Sequence, residues 1–181
     1  NSPDLHYFQI EPYSEITENP EGLPVLRKIE PVTRLSDVFR QLPDNPRLLD
    51  VVEQFLGPDL LLFRSTLMLK PPYHGSAHGL HHDAAHWMLE PPISMTVSIA
   101  LDDATPENGC FQVMPGSHEW EMGPKSKIQR AAGTGLTDRE DIDLSKLRHV
   151  PLKAGSALFF HSRLLHGSGA NESPHSRNTA L

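Results

Sequence analysis

The spacing of hydrophobic and polar positions changes its period along this chain. Near the start, "LHYFQIEP" alternates loosely and predicts an outer strand. "LSDVFRQL" then reads as a short helix with Ser36 as its cap. A better punctuated helix follows. Asn45 can cap it, Pro46 fits its first turn, "RLLDVVEQFL" carries the apolar face, and Gly57-Pro58 stops it.

Beyond residue 58 the period falls to two. "LLLFRSTLMLK" (60–70) predicts a strand with Arg64, Thr66, Met68 and Lys70 on one face and Leu61, Phe63, Leu67 and Leu69 on the other. "ISMTVSIAL" (93–101) does the same. Ile93, Met95, Val97, Ile99 and Leu101 form an apolar face, and Ser94, Thr96, Ser98 and Ala100 a small, partly polar one. Such a small face either lines a cavity or meets solvent, and the pattern alone leaves both open. "ENGCFQVMPGSHEW" (107–120) reads as turn, strand, turn, with Gly109 and Gly116 supplying the turns, and is expected to be structural. "AGSALFFHSRLLHGSG" holds two short strands, and "RNTAL" starts another. Residues 121–146 form a polar excursion with room for one helix. Many short strands after a helical beginning predict a β-sandwich or barrel with helices packed outside it.

Composition narrows the function classes. With 181 residues, 38% hydrophobic and 22% charged, the chain fits one globular domain. No apolar run is long enough to span a bilayer. The net charge of −7, without a Lys/Arg cluster, argues against nucleic acid and for small-molecule chemistry. The single cysteine, Cys110, excludes an internal disulfide and a multi-cysteine zinc site, so a cytoplasmic setting is expected.

Eleven histidines are many for this length, and three of them fall in "LHHDAAHW" (80–87). On a strand, His81 and Asp83 would project together and His82 the other way. An imidazole and a carboxylate on one side, with a further histidine from elsewhere, make the facial triad of non-haem Fe(II) oxygenases. His166, in the apolar "LFFHSRLLHGS", is the candidate third ligand. Arg177 follows eleven residues later, after the turn-rich "GSGANESPHS". A hairpin turning near Asn171-Glu172 would put Arg177 across from His166, where its guanidinium could grip a carboxylate. Taken together, the pieces suggest a 2-oxoglutarate site.

The motifs "LHHDAAHW", "SIALDDATPENGCFQVMPGSHEW" and "LFFHSRLLHGSGANESPHSR", in that order, resemble the phytanoyl-CoA dioxygenase family of Fe(II)/2-oxoglutarate oxygenases over roughly residues 60–181. The resemblance implies a mainly β fold, the double-stranded β-helix or jelly roll. It implies iron ligands at His81, Asp83 and His166. Arg177 would hold the distal carboxylate of 2-oxoglutarate, with Ser168 assisting, and Lys70, Thr96 and Trp87 would line the cosubstrate pocket. His118 and His161 play no part in it. Fe(II), 2-oxoglutarate and O2 are the expected cofactor and cosubstrates, succinate and CO2 the expected coproducts, and hydroxylation of a small molecule the expected outcome. Desaturation, cyclisation or halogenation at the same site, and a non-catalytic cupin-like binding protein, are the alternatives. Relatives usually carry an aromatic or bulky polar residue where His82 and His86 stand, which predicts an unusual pocket mouth. Arg64 and Met68 stand where ectoine hydroxylases carry glutamine and asparagine, which argues against ectoine. The span is expected to be a single domain trimmed at both ends, with 1–58 as helical and outer-strand support and 59–181 as the jelly-roll core.

Overall fold

The computed structural model describes residues 5–11, 22–87, 89–121, 129–131, 135–137 and 142–181. Its first strand, β1 (Phe8–Ile10), is the expected outer strand, and it pairs with β2 (Leu26–Ile29). Helix α1 (Asp37–Gln41) begins after Ser36, whose side chain makes no capping hydrogen bond. Helix α2 (Pro46–Leu56) is capped as its sequence requires. The Asn45 side chain accepts from the Arg47 amide at 3.0 Å, and Gly57 ends the helix at φ 85°.

The expected strand over 60–70 shrinks to β3 (Leu67–Met68). Residues 61–63 are exposed and find no strand partner, so alternation there does not become a ladder. Next come β4 (His78–His81), the short helix α3 (Asp83–Trp87) and β5 (Met95–Ala100). Strand β6 (Phe111–Val113) lies between the turns of Gly109 and Gly116, both at positive φ. Strands β7 (Gln129–Ala131) and β8 (Gly135–Thr137) pair with each other inside the expected polar excursion. A 3-10 turn follows at Leu144–Lys146, and the remainder of the expected excursion, with room for its helix, lies outside the described residues. The chain continues through β9 (Arg148–Val150), β10 (Ala157–His161), β11 (His166–Ser168) and β12 (Thr179–Ala180).

Two antiparallel sheets carry the architecture, in the orders β1-β2-β3-β12-β5-β10 and β4-β11-β6-β9. This is a mainly β jelly roll. The sheets meet through aromatic contacts. Phe111 of β6 and Phe160 of β10 bring their ring centroids to 5.7 Å, and Phe160 lies 4.6 Å from the His166 ring of β11. Leu80, Met114 and Leu165 form a buried apolar cluster, with Trp120, Ile142 and Leu147 packed against it.

Strand β5 resolves the ambiguity in its pattern. Its small face is the inner one: Ser98 is 0% and Ala100 2% exposed, while Ile93 and Leu101 at its ends are 60% and 40% exposed. The larger residues are on the outside, where α2 lies against the strand. Small side chains facing inward leave room between the sheets, and the groups buried there include Lys70, His81, His166 and Arg177. Buried charge of this kind needs partners or a ligand. Among the described residues, no helix is long and apolar enough to cross a membrane.

Candidate active site

His81 ends β4, Asp83 opens α3, and His166 opens β11. Strands β4 and β11 pair so that His166 lies directly opposite His81. The expected reason for the His81–Asp83 pairing was strand alternation, and the structure corrects it. The strand stops at His81, and the chain turns into α3, with the Ala84 amide donating to the Ser162 carbonyl at 2.9 Å and the Ala85 amide to the His82 carbonyl at 3.1 Å. The turn brings the carboxylate beside the imidazole, which strict alternation was expected to do.

The three side chains offer ligand atoms within 4.8 Å of one another. Oδ1 of Asp83 lies 3.6 Å from His81 Nε2 and 3.9 Å from His166 Nε2. Each imidazole is oriented from behind. The Gly79 carbonyl lies 2.8 Å from His81 Nδ1, and the Leu164 carbonyl lies 2.9 Å from His166 Nδ1. A carbonyl can only accept, so Nδ1 carries the hydrogen and the Nε2 lone pair faces the Asp83 carboxylate. Thr96 Oγ1 donates to the other carboxylate oxygen, Oδ2, at 2.8 Å, which leaves Oδ1 turned toward the histidines.

The electrostatics suit a metal. Burial, then the neighbouring His81, lowers the His166 pKa to about 4, so the ring is neutral at pH 7. Burial of Asp83 would raise its pKa. The neighbouring His81 and His166 rings and the Thr96 hydroxyl outweigh this and hold the carboxyl below its ordinary range. A neutral His166 imidazole and an ionised Asp83 carboxylate are the protonation states that metal ligation requires.

Arg177 is buried on the opposite sheet, and its position corrects the expected hairpin. β11 pairs with β4 and β6, β12 with β3 and β5, so residues 169–178 cross from one sheet to the other. The backbone partner of Arg177 is Lys70, not His166: Arg177 N donates to Lys70 O at 2.9 Å and Lys70 N to Arg177 O at 3.1 Å. Asn171, 1% exposed, holds this crossover, donating to the carbonyls of Lys70, Pro71 and His175. The two cations of the pocket are therefore brought together by strand pairing.

The guanidinium is held by contacts that the sequence reading did not assign. Nε and Nη2 donate to the Gly109 carbonyl at 3.1 and 2.6 Å, and Nη1 donates to Thr179 Oγ1 at 2.8 Å. Burial lowers its pKa to about 10, so it stays charged at pH 7. Lys70 Nζ donates to the carbonyls of Ser76 and Gly169. Burial, followed by the charges of Arg177 and Arg27, lowers the Lys70 pKa to about 7. Ser168 is buried two residues beyond His166 on β11. Trp87 lies four residues after Asp83, on the same side of α3. Its ring meets Phe63 at 5.4 Å, and its Nε1 is buried without an acceptor.

His78 was not singled out by the sequence. Its ring lies 4.8 Å from that of His81, and its Nδ1 lies 3.0 Å from Arg27 Nη2. Burial, then the charges of His81 and Arg27, lowers it to about 3, consistent with accepting from the guanidinium. The expected pocket mouth also changes. His82 is 2% exposed and its Nδ1 lies 2.6 Å from the Arg163 carbonyl, so it belongs to the interior. His86 is exposed, 5.7 Å from the His81 ring. His118 and His161 pair with each other, at 6.3 Å, and are not among the residues of the metal cluster.

A jelly roll carrying two histidines and a carboxylate around one point defines the class of non-haem metal sites with a facial triad. The chain belongs to the phytanoyl-CoA dioxygenase (PhyH) family, whose model matches residues 9–179. It is 31% identical over 156 residues to the peroxisomal phytanoyl-CoA dioxygenase of Bos taurus, covering 82% of this chain and 46% of that protein. It is also 31% identical over 172 residues to the ectoine dioxygenase of Streptomyces avermitilis, covering 86% and 58%. The chain thus spans about half the length of these relatives. Among solved structures it resembles EctD from S. alaskensis with 2-oxoglutarate and 5-hydroxyectoine (TM-score 0.74, 26% identity, 99% of this chain and 60% of that one). It also resembles the epimerase SnoN in complex with Fe3+, alpha ketoglutarate and nogalamycin RO (TM-score 0.67, 27% identity, 84% and 60%).

Proposed function

We propose that this chain is the catalytic core of an Fe(II)/2-oxoglutarate-dependent dioxygenase that hydroxylates a small molecule. The observation that carries the reading is the convergence of His81 Nε2, His166 Nε2 and an Asp83 carboxylate oxygen inside a buried, cationic interior. Relatives and structural neighbours that are dioxygenases, or that hold iron and 2-oxoglutarate, support it.

The residues fit the cofactor and cosubstrate. Two imidazoles and one carboxylate suit Fe(II) and leave open positions. A guanidinium has five N–H groups. Three of those of Arg177 are engaged by Gly109 and Thr179, which leaves two for a carboxylate. When bound, iron with 2-oxoglutarate and O2 supplies the oxidising chemistry and releases succinate and CO2.

The protein residues bind and orient. His81, Asp83 and His166 hold the metal, and the Gly79 and Leu164 carbonyls and the Thr96 hydroxyl fix their directions. Arg177 grips the distal carboxylate, Ser168 adds a hydroxyl, and Lys70 adds the remaining ammonium hydrogen. The orphan Trp87 Nε1 is a donor within one helical turn of Asp83. Burial of these groups excludes water and strengthens each contact. The Asp83 carboxylate fills the position a halide would need, which favours oxygen insertion over halogenation. Arg64 is engaged by Glu30 in an ion pair, which agrees with a substrate other than ectoine. A cytoplasmic setting fits the buried free thiol of Cys110.

Likeness to an epimerase favours one second outcome, stereochemical inversion of a substrate carbon at the same site, with an added two-electron reductant such as ascorbate consumed for each 2-oxoglutarate spent. The test is succinate release from 2-oxoglutarate by the full chain with Fe(II), with substrates screened for those that stimulate it and products weighed. Stimulated succinate and a product one oxygen heavier are expected. An isomeric product of unchanged mass selects inversion. Absence of both Fe(II) binding and succinate release overturns the reading.

A further inference from the structure

The "GCF" stretch at 109–111, expected to be structural, touches the guanidinium in three ways. The Gly109 carbonyl takes two of its N–H groups, and the Phe111 ring lies under it, with Arg177 Cζ 5.7 Å from the ring centroid. Gly109 is held at φ 78°, where a Cβ would collide with the Gly169 carbonyl oxygen. That close approach locks the 109–111 segment against the crossover that leads to Arg177. Phe111 also stacks on the His166 ring, at 5.9 Å and 29° between planes. One aromatic ring thus touches both the candidate metal ligand and the candidate carboxylate clamp.

The two contacts differ in what else supports them. His166 is oriented by the Leu164 carbonyl and packed by Phe160 at 4.6 Å, so it keeps its direction without Phe111. The guanidinium is pinned in its own plane by Gly109 and Thr179, and the aromatic face limits its tilt out of that plane. A cation over an aromatic face is also attracted by the ring quadrupole, more strongly when water is excluded.

We infer that Phe111 is a positioning residue: together with the Gly109 carbonyl, its ring sets the orientation of the Arg177 guanidinium and hence the affinity for the dicarboxylate cosubstrate. The inference rests on the functional reading above. It separates a residue that tunes cosubstrate binding from one that merely fills the gap between the sheets.

The experiment is calorimetric titration under argon of the full chain, first with Mn(II) and then with 2-oxoglutarate. Phe111→Leu and Phe111→Met remove the aromatic face, and Phe111→Tyr keeps it. The aliphatic variants should bind 2-oxoglutarate about tenfold more weakly, with Mn(II) affinity within about threefold of the unmodified chain. Phe111→Tyr should bind both nearly as the unmodified chain does. Unchanged 2-oxoglutarate affinity in an aliphatic variant overturns the inference. So does a loss in Phe111→Tyr equal to that in Phe111→Leu, or a parallel loss of Mn(II). If the unmodified chain binds Mn(II) but no 2-oxoglutarate, the functional reading falls, and this inference with it.

Discussion

Thr96 and Asp83 are joined by a 2.8 Å hydrogen bond from the Thr96 hydroxyl to the carboxylate oxygen that faces away from the histidines. The resemblance had put Thr96 among the residues of the cosubstrate pocket. Its place on the inner face of β5 lets one short side chain fix the rotation of the carboxylate. Thr96→Val keeps the shape and removes the donor, so Oδ2 loses its partner and Asp83 becomes easier to protonate. Loss of such an outer partner typically weakens metal affinity by about 10–100-fold. Thr96→Ser should retain most of it. Mn(II) titration of the two variants measures this, and equal affinities would contradict the role.

His82 lies between two ligand positions yet points into the protein, toward the Arg163 carbonyl. His82→Ala should leave metal affinity within about threefold and cost roughly 1–3 kcal/mol of stability, the scale for stranding a buried carbonyl. Chemical denaturation of the metal-free chain gives the stability change. A variant that loses the metal while keeping its stability would place His82 in the coordination shell.

The parts legible in the sequence are those where local chemistry decides. Asn45, Pro46 and Gly57 punctuate α2, and Gly109 and Gly116 mark the turns around β6. His81, Asp83 and His166 were legible as residue types, although the turn at His82 that joins the first two was not. Partner choice between strands lies outside any local pattern. The alternation over 60–70 could not reveal that only Leu67–Met68 finds partners. The turn-rich stretch before Arg177 reads as a hairpin, and nothing local in it reveals the crossover between sheets. Three parts of the guanidinium socket escaped for the same reason: a main-chain carbonyl has no side-chain signature, Thr179 stands in what reads as an ordinary strand, and Phe111 in a segment expected to be structural.

Lys70 gives the site a pH dependence with a defined sign. Its pKa is lowered to about 7 by burial, then by the charges of Arg177 and Arg27. A dianion bound beside it favours the ammonium, so the complexed amine has the higher pKa and binding takes up a proton above pH 7. The dissociation constant of 2-oxoglutarate should be flat below pH 7. Above it, the constant should rise by up to about tenfold per pH unit until the complexed amine itself deprotonates. Lys70→Met should bind more weakly at pH 6.5 and lose that slope. Titrations from pH 6 to 9 on Mn(II)-loaded protein decide it, and a dissociation constant that falls with pH excludes the ammonium as a cosubstrate contact.

Arg177 is the residue at which fold and function are hardest to separate, because its guanidinium fills a socket and offers a fork at once. Arg177→Lys keeps the charge but presents a compact ammonium. It cannot donate in parallel to Gly109 and still hold two hydrogens toward a carboxylate. Losing one charge-assisted hydrogen bond costs about 1.5–3 kcal/mol, so the KM for 2-oxoglutarate should rise by one to two orders of magnitude. Metal affinity should hardly change, since none of the three ligand side chains bonds to the guanidinium. Arg177→Met removes the charge as well and should abolish measurable 2-oxoglutarate binding. It relieves the Coulombic pressure on Lys70, whose pKa should move back up toward its ordinary value. The two variants therefore separate geometry from charge. Lys should shift KM while kcat at saturating 2-oxoglutarate is largely kept, and Met should remove binding altogether. Steady-state succinate release across a 2-oxoglutarate series, with Mn(II) affinity as the control for folding, measures both. Unaltered cosubstrate dependence in Arg177→Lys would remove the guanidinium from the cosubstrate site.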